Sequence, residues 1–311
     1  MFNYTFIIPH KNIPNLLKRC LLSIPRRDDI QIIVIDDNSD IIDDFPDIHD
    51  NDIEFIWCKE SKGAGYARNL GLEKAKGKWV LFADADDYFL PNLLDKLDVH
   101  LNDDVDIIYF SVTSMYNETG EIATRHIDTK RKIEKAIKTG DQNILRYQKH
   151  EVWGKMISLN MIKNNHITFD EVSACNDTMF SVKAGHFAKK INIDNIPIYC
   201  IIARVGSVQF TRTLKSCTDR FNVRCRVNKF LYSINKYEFR MNLMGEFGAF
   251  RHFGLKKMLF IILQTIKQYS FFYFIIDLYK FVYNRISVRS VEDKRLRVVE
   301  DQKNYDKNSK F

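Results

Sequence analysis

The chain has 311 residues, with 47 Lys+Arg against 40 Asp+Glu, a net charge of +7. A hydrophobic content of 45% and a charged content of 28% exclude a disordered, collagen-like or low-complexity protein and leave room for one large core or two smaller ones. The excess charge is not spread evenly: residues 251–311 hold thirteen Lys/Arg and six Asp/Glu, so the first 250 residues are neutral and the tail carries the whole +7.

In chain order, residues 4–8 form an apolar run of strand length, and neither a basic start nor a long apolar stretch marks a secretory leader. His10, just after it, reads as a solvated loop residue within reach of a ligand. Residues 14–24 carry Leu16, Leu17, Cys20, Leu21 and Ile24 at helical spacing. Residues 30–35 are a β-branched run ending in Asp36-Asp37-Asn38-Ser39, and residues 53–58 form another strand. Residues 64–75 predict a helix. Residues 78–83 predict a strand ending in Asp84-Ala85-Asp86-Asp87, and Pro91 then opens a helix. Residues 105–110 are strand-like. This alternation predicts an α/β fold with a mostly parallel sheet and helices on both faces, whose ligands bind beyond the carboxyl ends of the strands. Both acidic clusters lie at such ends.

From 111 to 210 the pattern is mixed. Residues 117–120 predict a hairpin turn, 176–188 a helix and 197–203 a strand, and residues 217 to about 250 read as helical. Residues 258–283 are apolar, with eight aromatics between Tyr269 and Tyr283, but Gln264, Lys267, Gln268 and Asp277 interrupt them. Charges near the centre of a span cost ~2.5–3.5 kcal/mol each, so the segment predicts a helix lying in a membrane interface, or one packed on the protein's own core. The six cysteines show no C-x-x-C pair or His at ligand spacing, which predicts reduced thiols and a cytoplasmic protein rather than a zinc site.

Four segments can carry chemistry. Asp84, Asp86 and Asp87 crowd three carboxylates into one turn. Their repulsion is resolved by a divalent cation shared with phosphate, or the turn is simply a solvated cap. Asp37 can accept hydrogen bonds from a nucleobase or ribose, or belong to an Asx turn. Gly63–Gly65 begin like a dinucleotide fingerprint, but Arg68 stands where that motif needs Gly or Ala; a guanidinium there suits a phosphate or a base instead. Asn176-Asp177 opens a helix, where Asp177 is either a general base or an N-terminal cap.

Together the segments resemble a family-2 glycosyltransferase with the GT-A fold, of the kind that builds bacterial surface polysaccharides. The resemblance rests on Phe6–Pro9 with Asn12, Ile33–Ser39, Gly65–Gly71 leading into Ala75–Asp87, Val152–Lys155, Phe169–Glu171 and Asn176–Phe180. It covers residues 4 to about 210. It implies an inverting transferase with a nucleotide-diphosphate sugar donor (UDP-sugar), a divalent metal (Mn2+ or Mg2+), and a glycan or lipid-linked acceptor. Pro9 would line the base pocket, Asp37 contact the uracil or ribose, and Arg68 lie near the nucleotide. Asp84 would contact the donor sugar or ribose, Asp86 bridge metal and diphosphate, and Asp177 deprotonate the acceptor, with Asn176, Trp153 and Lys155 shaping the acceptor side.

The expected organisation is a catalytic domain at 1–215, with a nucleotide-binding half at 1–110 and an acceptor half at 111–215. A helical region at 216–285 and a polar basic tail at 286–311 follow. Residues 251–311 are expected to meet a membrane surface on the inner face of the cytoplasmic membrane. A nucleotidyltransferase is disfavoured because the loop after the first strand has no glycine. A decayed scaffold is disfavoured by the intact acids, and nucleic-acid binding by the neutral body.

Overall fold

A computed structural model describes residues 2–40, 52–204, 213–251 and 253–266, together with 275, 278 and 279. The chain divides into two compact units, Met1–Arg204 and Val205–Phe311.

The first unit is built on an eight-stranded sheet. Its strands are β1 (Tyr4–His10), β2 (Ile30–Asp36), β3 (Ile53–Trp57), β4 (Trp79–Phe82), β5 (Tyr88–Phe89), β6 (Ile107–Tyr116), β7 (Lys155–Ser158) and β8 (Ile191–Ala203), in the order β3-β2-β1-β4-β7-β6-β8-β5. The four strands β3, β2, β1 and β4 run parallel. The acceptor side differs: β7 is antiparallel to both β4 and β6, while β6 and β8 are parallel.

The strands read as continuous apolar runs because both faces are covered. Side chains alternate between two cores. Phe6, Ile8, Ile32, Val34 and Leu81 pack with Leu17, Cys20 and Leu21 of α1 (Pro14–Leu22) and with Leu93 and Leu97 of α3 (Leu93–Asp98). Ile7, Ile33, Ile35, Val80 and Phe82 face the other way. They pack with Ala67 and Leu72 of α2 (Ala64–Lys74) and with Phe180 and Ala184 of α7 (Thr178–Phe187). Three further helices complete the unit: α4 (Ile127–Thr139), α5 (Asn143–Gln148) and α6 (Leu159–Asn164).

Two expectations shift and a third holds. Pro91 does not open a helix: Asn92 follows it in the left-handed region at φ 58°, and α3 starts at Leu93. The strand expected at 105–110 runs from Ile107 to Tyr116, past the end of its apolar run. Pairing along β8 extends it, and polar Ser114 is satisfied through a 2.8 Å contact with His126 Nδ1. The hairpin turn at 117–120 forms as expected, with the Gly120 N–H donating to the Tyr116 carbonyl at 2.9 Å and Gly120 at φ 70°.

The second unit contains α8 (Leu214–Ser233), a short 3-10 turn (Tyr237–Phe239), α9 (Met244–Arg251) and a helical stretch at 255–266. A reciprocal pair of bonds caps α8. Thr213 Oγ1 accepts from the Ser216 N–H, and Ser216 Oγ accepts from the Thr213 N–H, each at 3.0 Å. Cys217, Phe221, Cys225, Phe250 and Ile261 form its core. Among the described residues no helix is long and apolar enough to cross a membrane. Most of the 258–283 segment and all of the 286–311 tail lie outside the described residues.

Candidate functional site

The carboxyl ends of β1, β2 and β4 place Pro9, Asp36-Asp37 and Asp84–Asp87 along one edge of the sheet. Their hydrogen-bond partners separate the two acidic clusters.

At the end of β2 both acids serve the protein itself. Asp36 accepts from the Ser39 N–H at 2.8 Å and from the Ser39 hydroxyl at 2.6 Å, and its Oδ2 lies 2.7 Å from His10 Nδ1. His10 Nε2 accepts from the Ile13 N–H at 3.2 Å, so Nδ1 carries the proton donated to Asp36. His10 is therefore buried rather than solvated, and burial lowers its pKa. Asp37 is also buried. It accepts from the Ser61 hydroxyl at 2.7 Å, the Lys62 N–H at 2.7 Å and the Gly63 N–H at 3.0 Å. It thereby clamps the loop that leads into α2.

At the end of β4 the three acids have three different partners. Asp84 Oδ1 accepts from Arg68 at 2.6 Å, and its backbone N–H donates to the Tyr199 hydroxyl at 2.8 Å. Asp86 Oδ2 accepts from Arg204 Nε at 2.9 Å, while the Asp86 carbonyl takes Arg19 at 2.7 Å. Asp87 Oδ1 accepts the Ile202 N–H at 2.7 Å, locking the turn to β8. Burial, and then the Asp84 charge, raises the pKa of Asp86 against the pull of Arg204. Buried Asp87 is pushed well up in the same way. The carboxyl side chain of Asp84 is 37% exposed and that of Asp86 19%.

Arg68 joins the two halves of the unit. It starts from α2, and its other terminal nitrogen donates to Asn176 Oδ1 at 2.8 Å. The joint requires glycine at position 65, where a Cβ would stand 2.1 Å from the Asp170 carbonyl oxygen. Asp177 follows Asn176 at the start of α7 and makes no side-chain cap hydrogen bond, so its carboxylate is not consumed by the helix end. Burial raises its pKa to about 6. The Arg68 charge opposes that rise, and the Glu151 and Asp84 charges add to it.

The remaining acceptor-side residues lie deeper. Trp153 is buried and stacks on Tyr199, with ring centroids 6.0 Å apart, and Lys149 Nζ sits 4.3 Å from its ring centroid. Lys155 is buried. It donates to the Lys149 carbonyl at 2.8 Å and to the Ser181 hydroxyl at 3.0 Å, tying β7 to α7. Burial, then the Lys149 charge, lowers its pKa well below the usual value.

The structure thus brings Arg68, Asp84, Asn176 and Asp177 into one electrostatic centre, with Asp86 beside it. Asp37 and Lys155 are held in internal bonds instead. Reading the sequence missed Arg204 and Tyr199, both from β8 or its end. The signal for Arg204 was a single guanidinium directly after an apolar strand. Among the described residues no three His, Cys, Asp or Glu side chains gather into a metal cage.

Residues 5–167 match the model of glycosyl transferase family 2. The chain is 27% identical over 212 residues to the putative glycosyltransferase EpsH of Bacillus subtilis strain 168, across 63% of this chain and 60% of the relative. It is 34% identical over 97 residues to the UDP-Glc:alpha-D-GlcNAc-diphosphoundecaprenol beta-1,3-glucosyltransferase WfaP of Escherichia coli, across 30% of this chain and 38% of that one. The chain therefore spans less than two thirds of the length of these relatives. Among solved structures, S. aureus TarS 1-349 in complex with UDP-GlcNAc superposes with a TM-score of 0.65 at 16% identity, over 86% of this chain and 81% of that chain. At that identity the likeness establishes the fold, which is the mixed α/β GT-A arrangement.

Proposed function

The chain belongs to glycosyl transferase family 2, and we propose that it is an inverting glycosyltransferase. In this reading it moves a sugar from a nucleotide-diphosphate donor, a UDP-sugar, to a hydroxyl of a glycan or lipid-linked glycan in surface polysaccharide synthesis. The observation that carries this reading is the Arg68 bridge. One guanidinium holds Asp84 at 2.6 Å and Asn176 at 2.8 Å, so the donor-side strand end and Asp177 share one centre.

Asp177 takes the proton of the acceptor hydroxyl. The acceptor oxygen then attacks the anomeric carbon from the face opposite the diphosphate. The bond from that carbon to the phosphate oxygen breaks, its electron pair leaves with the diphosphate, and the configuration inverts. A base with a pKa of about 6 is ionised at neutral pH yet basic enough to accept a proton in the transition state. Arg68 and Arg204 stand where they can meet diphosphate charge. Pro9 and the loop clamped by Asp37 form the wall expected to hold the base and ribose. Trp153 and Lys155 support the acceptor side from beneath.

A divalent ion fits the chemistry of Asp86. This carboxylate is one-fifth exposed, and burial and a neighbouring acid have made its charge costly. With no cage of three such side chains among the described residues, an ion there would draw further ligands from diphosphate oxygens, the usual arrangement for Mg2+ or Mn2+ at phosphates. When bound, the ion neutralises the charge that develops on the leaving diphosphate.

The same proposal makes residues 1–215 the catalytic domain and gives residues 251–311 a membrane surface as partner, at the inner face of the cytoplasmic membrane. Supporting that placement, Leu255, Leu259, Phe260 and Leu263 are all more than half exposed along one helical stretch, beside exposed Lys256 and Lys257. The test is a panel of nucleotide sugars with a lipid-linked acceptor, reading released nucleotide diphosphate with and without chelator. Metal-dependent release from one donor supports the proposal. Release from none, with no metal-dependent nucleotide binding, refutes it.

A further inference from the structure

Each acid of the β4 turn has one principal positive or N–H partner, and the three partners differ in how firmly they are fixed. Asp87 takes a backbone N–H inside β8, which cannot leave without unpairing the strand. Asp84 takes Arg68, whose side chain is only 6% exposed and is held a second time by Asn176. Asp86 takes Arg204, which is 19% exposed and lies just past the last residue of β8. Arg19 holds the backbone carbonyl of Asp86 at 2.7 Å, which restrains the main chain of the turn beneath the carboxylate. Asp86 is thus a carboxylate on a restrained turn with a detachable cation.

We propose that Arg204 and a divalent cation compete for Asp86, the guanidinium serving as the counter-charge of the donor-free protein and yielding the carboxylate when the ion arrives. The proposal rests on the reading of Asp86 as the metal-binding acid and goes beyond it by naming what stands in the ion's place. Two cations on one carboxylate repel each other strongly in a site shielded from water. The ion must therefore displace the guanidinium or bind weakly. A diphosphate that offers Arg204 another anion removes this competition. Donor and ion should then tighten one another's binding, by the same factor in each direction. Without Arg204, Asp86 would face Asp84 and Asp87 uncompensated and would attract any available divalent ion.

The experiment is a Mn2+ titration of the full chain without donor, following the electron paramagnetic resonance signal of free Mn2+. Wild type is compared with Arg204→Gln, Arg204→Lys and Asp86→Asn, with circular dichroism confirming that each is folded. The expected result is that Arg204→Gln binds Mn2+ about tenfold more tightly than wild type. Arg204→Lys should stay near wild type, and the tight site should vanish in the double variant carrying Asp86→Asn. Equal or weaker binding by Arg204→Gln overturns the proposal, as does the absence of any Mn2+ site in that variant at millimolar ion. Calorimetry of UDP with Mn2+ on the wild type separates the two readings. Metal-dependent UDP binding alongside a negative Arg204→Gln result sinks the competition alone, whereas its absence sinks the metal-binding role of Asp86.

Discussion

The two acidic strand ends look alike in sequence and differ in what completes them. After β2, Asp36 and Asp37 are closed by the adjacent strand, by Ser39 and by a packed loop: His10, the Ser39 and Ser61 hydroxyls and three backbone N–H groups. After β4, Asp84 and Asp86 are balanced by side-chain guanidinium groups from α2 and from beyond β8. Neutral donors shape a loop permanently. A side-chain cation held by one bond, as Arg204 is at Asp86, can be exchanged for an ion. On the proposed reading the first cluster builds the wall of the site, and the second is where its charge can change.

Substitutions should separate the two. Asp86→Asn is expected to lower transfer by about 10²-fold or more, since it removes the acid assigned to metal and diphosphate, while shifting stability by no more than about 1 kcal/mol. A large loss of stability without loss of turnover per folded molecule would reverse the assignment. Asp36→Ala should do the opposite. It strands the Ser39 N–H and the His10 ring, and urea unfolding should show about 2–4 kcal/mol of lost stability. Gly65→Ala tests the joint between the halves. The new methyl group meets the Asp170 carbonyl oxygen at 2.1 Å and cannot be accommodated without moving the chain that carries Asn176. A rise in donor KM with a loss of about 1–3 kcal/mol in stability is expected.

A further prediction concerns pH and stability. Asp177 has a folded pKa of about 6 against an ordinary value of 3.8. As pH rises between these values, the unfolded chain gives up its proton first, so the ionised group lowers stability above pH 6. Asp177→Asn should therefore raise stability at pH 7 by up to about 3 kcal/mol and give no such gain at pH 4. Thermal melts at the two pH values check the sign. In the wild type, transfer should fall about tenfold per pH unit below pH 6, as the base becomes protonated.

Much of the first unit was legible in the sequence because β-branched runs and glycine-marked turns impose themselves locally. The strands at 4–10, 30–36 and 79–82 each declared their acidic or polar ends. The acceptor side was harder to read. Strand β7 is four residues long and gains its place only by pairing between β4 and β6. Helix α4 buries just Thr129, Ile133 and Ala136 on an otherwise charged surface, a weak stripe that nevertheless has helical spacing. The partners of the acids were the least legible. Arg68 meets Asn176 across 108 positions and Asp86 meets Arg204 across 118, and no local pattern encodes such pairings. His10 misled for the same reason, since its burial depends on Asp36 in the next strand.

The most direct test of the whole account is the rate of sugar transfer by folded Asp177→Asn at pH 7.5, beside wild type, with the same donor and acceptor. A loss of about 10²-fold or more in transfer is expected, with nucleotide binding preserved. Transfer at the wild-type rate would contradict it, because the acid proposed to take the acceptor proton would then be dispensable.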